Sequence, residues 1–179
     1  MKKQIINFNP FPEIITERFK LRQLNKSDSE KIFEIRSNIS IAQYLDRPLA
    51  TSINDAISFI EKISDGISKN QVIYWGIENK STQEIIGTIT LWQISVDGSQ
   101  AEIGFELFPI YQGKGVMQEV LPVVIHFAFN SMKLSKIEGE VAFDNLKSIK
   151  LMEKFGFVYD RKLENTLVYI LKEKALTHK

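Results

Sequence analysis

The chain has 179 residues, 44% hydrophobic and 25% charged, with a formal net charge of +1 at pH 7. That length suits one domain with a sizeable core, and the balanced charge gives no sign of a nucleic-acid or anionic-membrane partner. The absence of cysteine excludes a disulfide scaffold, a thiolate metal site and a cysteine nucleophile, and with no secretory or membrane-spanning segment visible a cytoplasmic location is expected.

Residues 1–14 read as an extended N-terminal arm. Arg18–Leu24 alternates Phe19 and Leu21 against Arg18, Lys20 and Arg22, the pattern of a first strand. Ser27 or Asp28 can cap the next helix, with Glu30 completing a capping box after Ser27. Its apolar stripe is Ile32, Phe33, Ile35 and Ile39. Asn38–Ala50 is irregular. A second helix starts near Thr51 or Ser52 with the stripe Ile53, Ala56, Ile57, Ile60, Ile63 and Ile67. Val72–Glu78, Glu84–Ile94 and Ala101–Phe108 then read as consecutive antiparallel strands. Gly87 marks a bulge or a close approach, and Asp97-Gly98 a tight turn. The helix Gly115–Met132 contains Pro122, which should bend it near Gln118. Lys136–Phe143 is a strand reached through that helix, hence parallel to Ala101–Phe108. A short helix over Leu146–Phe155 ends at Gly156. Phe157–Leu163 and Thr166–Lys172 form a last hairpin. No repeat or linker divides the chain, so a single domain over residues 1–179 is expected.

The chain is organised around Ala101–Phe127. Ala101, Ile103, Phe105 and Leu107 share one strand face, and Glu102, Gly104 and Glu106 the other. Pro109 ends the pairing. Gln112-Gly113-Lys114-Gly115 then opens the helix. Such a turn points backbone N–H groups at one spot and adds the positive end of the helix dipole, so a phosphate or pyrophosphate seat is predicted here. A P-loop would need a Gly-Lys-Ser/Thr ending, and Gly115 follows Lys114 instead. A dinucleotide-binding turn would need a third small residue where Gln118 stands, although Glu138 or Glu140 could serve as its ribose-binding acid. Asn145 and Ser148, three apart at the start of the short helix, are a second signal. Asp144 or Asn145 is equally a plain helix cap. His126 reads as a packed or surface histidine, and no His/Asp/Glu cluster suggests a metal.

Gln112-x-x-Gly115 after a strand bearing Glu102, then helix, strand and Asn145-x-x-Ser148 before Phe155-Gly156-Phe157, resembles the GNAT N-acetyltransferases. The likeness runs from about Ile15 to Lys172. It is strongest to the Rim-type branch that acetylates ribosomal-protein N-termini, through Gly113–Met117, Asn145–Ser148 and the opening Thr16–Leu24. Met117 departs from the small residue usual in the superfamily. Met152 stands where other branches carry a tyrosine general acid, so no tyrosine mechanism transfers.

The resemblance implies an α+β, three-layer α/β/α sandwich. Its mixed, mostly antiparallel sheet would have two central parallel strands splayed to admit acetyl-CoA. Gln112, Gly113, Lys114, Gly115, Val116 and Met117 would hold the pyrophosphate. Phe105, Glu106 and Leu107 would pair with the pantetheine arm, and a backbone N–H among them would face the oxyanion. Acetyl transfer would be direct, to a primary amine made neutral by a base. Glu102 matches the family's strand glutamate, with an ion pair as its alternative role and Glu106 as the alternative base. Ser148 would donate a hydrogen bond towards the leaving thiolate. Asn145 would orient Ser148 or the cofactor. Tyr44, Trp75 and Trp92 are either acceptor wall or core. A two-residue turn at Glu164-Asn165 leaves the acceptor groove open, which favours a peptide N-terminus over a small polyamine or antibiotic-type amine. A non-catalytic CoA-binding domain and a nucleotide-dependent oxidoreductase are the other readings. Monomer and homodimer both remain open.

Overall fold

The period-two segments assemble into one eight-stranded sheet in a computed structural model that describes residues 6–173. Its strands are β1 (Ile14–Ile15), β2 (Phe19–Arg22), β3 (Ile73–Asn79), β4 (Glu84–Trp92), β5 (Gln100–Leu107), β6 (Lys136–Ala142), β7 (Val158–Lys162) and β8 (Thr166–Lys172), in the order β1-β2-β3-β4-β5-β6-β8-β7. The helices are α1 (Ser29–Ser37), α2 (Ile39–Ala42), α3 (Ile53–Ser68), α4 (Val116–Asn130) and α5 (Leu146–Lys154).

Alternation along the strands creates the layers. Trp75 on β3 packs edge-on against Phe127 of α4, with ring centroids 5.4 Å apart. Its neighbour Tyr74 points to the opposite face and meets Phe59 of α3, also at 5.4 Å. These rings pack onto a core built mostly of buried Ile, Leu and Val, whose removal from water is the main apolar contribution. Arg22 at the end of β2 ties the start of α1 to the sheet: it donates to both Asp28 oxygens at 2.8 Å and to Glu78 on β3.

The pairing of β5 positions the site. As the crossover rule requires, β5 and β6 are parallel, but only Gln100, Ala101 and Glu102 pair, with Lys136, Ile137 and Glu138. Beyond Glu102, β5 keeps its β4 partner as far as Leu107, and β6 keeps β8 as far as Ala142. The two strands therefore splay, leaving the β6-facing edge of Ile103–Leu107 unpaired. Gly87 is a close approach beside a bulge at Ile86, and it keeps its own β3 partner, Ile77. The β3–β4 register slips between Ile77 and Glu78 beside it, and a Cβ on Gly87 would lie 2.5 Å from the Glu106 carbonyl oxygen.

Several local expectations need correction. Asp28, one of the two residues read as a cap, stands at the N-cap of α1 but makes no side-chain cap bond; the capping box lies one turn earlier, on Asn25. The Asn25 side chain accepts from Ser27 N at 2.9 Å, and Asp28, not Glu30, returns the bond to Asn25 N. Ile39 is 73% exposed because it starts α2, a separate short helix inside the stretch read as irregular. Ile53 is exposed as the first residue of α3; the helix is capped by Ser52 in a capping box with Asp55. The N-terminal arm packs on the body where it is described: Phe8 is buried and its N–H donates to Asn70 Oδ1 at 2.8 Å. Met1–Ile5 of that arm lie outside the described residues. Helix α4 runs through Pro122, which sits on its exposed side.

Candidate active site

Helices α4 and α5 both begin where β5 and β6 have parted, so their N-termini face a common gap at the carboxyl ends of the parallel strands. In mixed sheets this is where ligands bind. A cavity of about 760 Å³ fills the gap. One side is Phe105, Glu106 and Leu107 of β5; the floor is Gln112, Gly113, Gly115, Val116 and Met117. The far wall runs from Asp144 through Asn145 and Ser148 to Lys154, and the near wall is Ser40–Leu45 around α2.

The floor is shaped by two left-handed glycines. Gly113 has φ 72° and Gly115, the N-cap of α4, has φ 74°, a region where a Cβ costs about 1–2 kcal/mol. The backbone N–H groups of residues 113–118 donate to no acceptor among the described residues. A helix start leaves its first N–H groups without internal partners, and here the turn before it adds more. Gln112 does not face this cluster with its amide; Nε2 donates to Leu107 O at 3.2 Å, bracing the turn against β5. Lys114 lies outside the cavity lining, with its ammonium 5.9 Å from the Tyr111 ring.

Two glutamates of β5 share a face but differ in surroundings. Glu102 is half-buried in the last β5–β6 pair, at the vertex of the splay and outside the cavity lining. Burial first, then the charges of Glu140 and Glu138, push its carboxyl up to about 7, against a partial offset from the Trp92 side chain. Glu138 stays ionised: the hydrogen bond from Lys136 holds it below the usual range despite burial, and Arg161 adds to this. Glu106 lines the cavity but is tied down. Arg47 Nε donates to its Oε1 at 2.9 Å, while Oε2 is buried and meets no donor among the described residues. Arg47 also donates to the Arg36 carbonyl at 2.9 Å, so this pair holds the Asn38–Ala50 wall against β5.

Asn145 caps α5. Its Oδ1 accepts from Ser148 N at 3.3 Å, which is the plain helix-start role. The Ser148 hydroxyl makes no hydrogen bond to a described residue and faces the cavity. Of the aromatic candidates only Tyr44 lines the cavity. Trp75 is core, its indole N–H donating to Pro12 O at 2.7 Å, and Trp92 lies beside Glu102. His126 is exposed on α4. Met152 is buried with its sulfur against Gly139, where a Cβ would come within 2.7 Å.

A sequence profile of the acetyltransferase (GNAT) domain matches residues 18–158. The chain belongs to the GNAT acetyltransferase family. The uncharacterized N-acetyltransferase YoaA of Bacillus subtilis is 36% identical to it over 147 residues, 82% of this chain and 83% of that protein. The solved ribosomal-protein-S5-alanine acetyltransferase from Vibrio fischeri matches it with a TM-score of 0.79 at 20% identity, covering 90% of this chain and 96% of that one. The spermidine N-acetyltransferase from Vibrio cholerae, solved with CoA and spermine, matches with a TM-score of 0.79 at 23% identity, covering 88% and 97%. These two structures establish the shared fold. The GNAT enzyme described here is thus an acetyl-CoA-dependent N-acetyltransferase. No helix among the described residues is long and apolar enough to cross a membrane.

Sequence reasoning overlooked two groups of residues around this GNAT cleft. Lys147, Lys150 and Lys154 of α5 all line it, and their spacing of three and four was a readable sign of one helix face. Arg18 and Glu119 reach the Gly113–Gly115 turn from outside. They are 101 positions apart, and neither strand nor helix periodicity links them.

Proposed function

We propose that this enzyme acetylates the α-amine of a peptide or protein N-terminus, with Glu102 as base. The observation that carries the acceptor assignment is the β7–β8 turn. Leu163 N donates to Thr166 O at 2.9 Å, so only Glu164 and Asn165 lie in the turn and no loop folds over the acceptor side. Among the described residues the wall is then supplied by Ser40–Leu45, and an extended peptide can enter along unpaired strand edges. An α-amine, with a reference pKa near 7.7–8.0, is also the amine most easily made neutral by a carboxylate. The solved neighbours support both this reading and a polyamine one, since one is named for a ribosomal-protein alanine and the other for spermidine. One observation favours the polyamine: Glu102, Glu138 and Glu140 share a sheet face, and a polycation would complement them. A panel of free and N-blocked peptides beside polyamines and aminoglycosides, followed by CoA release and mass spectrometry, decides. Turnover restricted to free-N-terminus peptides is expected; turnover restricted to small amines overturns the acceptor assignment.

The residues present fit acetyl-CoA. The 113–118 amides suit a pyrophosphate, the unpaired edge of Ile103–Leu107 suits the amides of a pantetheine arm, and the three lysines of α5 add positive charge. Acetyl-CoA, when bound, supplies an activated thioester. Glu102 takes the proton of the incoming ammonium, directly or through water; a carboxyl near 7 matches that task at neutral pH. The backbone of Phe105–Leu107 offers N–H groups to the thioester oxygen. Glu106, held by Arg47, fixes the acceptor wall. Ser148 offers its hydroxyl to the sulfur. Ser148→Ala is therefore expected to lower turnover about tenfold to a hundredfold with little change in acetyl-CoA affinity. Unchanged turnover, measured by thiol release, returns Ser148 to helix initiation.

A further inference from the structure

The phosphate turn is held from behind by a residue of the first hairpin. Arg18 lies in the Thr16–Phe19 turn between β1 and β2, closed by Thr16 N donating to Phe19 O at 2.9 Å. Its guanidinium uses three nitrogens at once: Nη1 donates to Lys114 O at 3.1 Å, Nη2 to Gly115 O at 3.1 Å, and Nε to Glu119 Oε2 at 2.6 Å. The other Glu119 oxygen accepts from Arg18 N at 2.7 Å and from the Thr16 hydroxyl at 2.6 Å. Glu119 is in the first turn of α4, so the hairpin grips both the turn and the helix it opens.

The geometry points to Arg18 as a positioning residue for the pyrophosphate of acetyl-CoA, an inference that rests on the assignment of residues 113–118 as its seat. A trans peptide is planar, with C=O and N–H pointing in opposite directions. Drawing the Lys114 and Gly115 carbonyls towards Arg18 therefore turns the N–H groups of Gly115 and Val116 away from Arg18. The guanidinium also polarises both peptide units, which strengthens the hydrogen bonds those N–H groups donate. Arg18 does not neutralise the ligand itself, because Glu119 balances its charge. Its planar fork is what reaches two carbonyls and a carboxylate together, and a lysine ammonium lacks that geometry.

The test compares acetyl-CoA with acetyl-pantetheine, which carries the same thioester without the pyrophosphate. For Arg18→Ala, KM for acetyl-CoA is expected to rise about tenfold to thirtyfold, the effect of losing charge-assisted positioning bonds. Meanwhile kcat and every parameter for acetyl-pantetheine stay near wild type. Arg18→Lys is expected to recover only part of the loss. Arg18 is 47% exposed, so the variants should fold, and melting curves check this. Equal losses with both thioesters, or full recovery in Arg18→Lys, would show a merely structural or generic charge role and overturn the inference. Unchanged KM in Arg18→Ala would overturn it too. A wild-type enzyme that shows no preference for acetyl-CoA over acetyl-pantetheine would instead overturn the pyrophosphate seat itself.

Discussion

Glu102→Gln is expected to lower kcat/KM about 10²–10⁴-fold near neutral pH, and to make the folded protein more stable above pH 7. Both effects have one origin. Burial and the charges of Glu140 and Glu138 raise the carboxyl from 4.5 to about 7. A carboxyl raised in the folded state binds its proton more tightly there than in the unfolded chain. Its favourable contribution is complete below 4.5 and is lost as pH rises through about 7. The wild type thus carries an unfavourable charge at working pH that glutamine lacks. Wild-type kcat/KM should rise through about pH 7 as Glu102 ionises. The variant should lose that limb and recover only as the acceptor amine itself deprotonates, near 7.7–8.0 for an α-amine. Melting temperatures measured from pH 4 to 9 should show a gap in favour of the variant that opens across the same window. A variant with the wild-type pH–rate profile, or one destabilised at pH 8, would make Glu102 a structural partner.

The central pairing was legible in the sequence because it follows from period-two alternation and one helical crossover, whereas the β2–β3 and β6–β8 pairings join strands distant in the chain and were not. The three antiparallel strands, the parallel fourth and the last hairpin all follow from that alternation and crossover. The caps were less legible. Asn25, Ser27 and Asp28 are all competent cap residues, and only the Arg22–Asp28 contact decides which carboxylate turns back. At the site, residues close in sequence were readable together: Gly113 with Gly115, and Asn145 with Ser148. The contrast between Glu102 and Glu106 was not, because it depends on Arg47 arriving from 59 positions away. Period alone puts the two carboxylates on one face and says nothing of which one finds a cation. Trp75 and Trp92 were ambiguous for the same reason, since alternation gives the side of a strand but not what covers it.

Gly115→Val is expected to weaken CoA binding by about tenfold to a hundredfold. The cause is backbone conformation rather than crowding of the ligand. A Cβ on Gly115 would sit 3.5 Å from Arg18 Nη2, an ordinary contact, so the first added atom does little harm by itself. The backbone, however, is at φ 74°, ψ 11°, which a β-branched residue adopts only as an outlier. Staying there costs about 1–2 kcal/mol. Leaving it rotates the peptide planes that Arg18 holds and turns N–H groups off the pyrophosphate, at about 1.5–3 kcal/mol for a bond to a charged group. The strain of staying is present with and without CoA, so the binding loss is the second cost, about tenfold to a hundredfold. Asparagine enters the left-handed region far more readily than valine, so Gly115→Asn should bind CoA within about tenfold of wild type. Gly113 provides the matching control. Its Cβ would meet nothing within 4 Å, yet its φ is 72°, so Gly113→Val should fail and Gly113→Asn should be tolerated in the same way. Titration calorimetry with CoA, together with melting curves to confirm folding, measures all four variants. Equal losses for Asn and Val at both positions would show that side-chain bulk is what the turn cannot accept, and would replace the conformational explanation with a steric one.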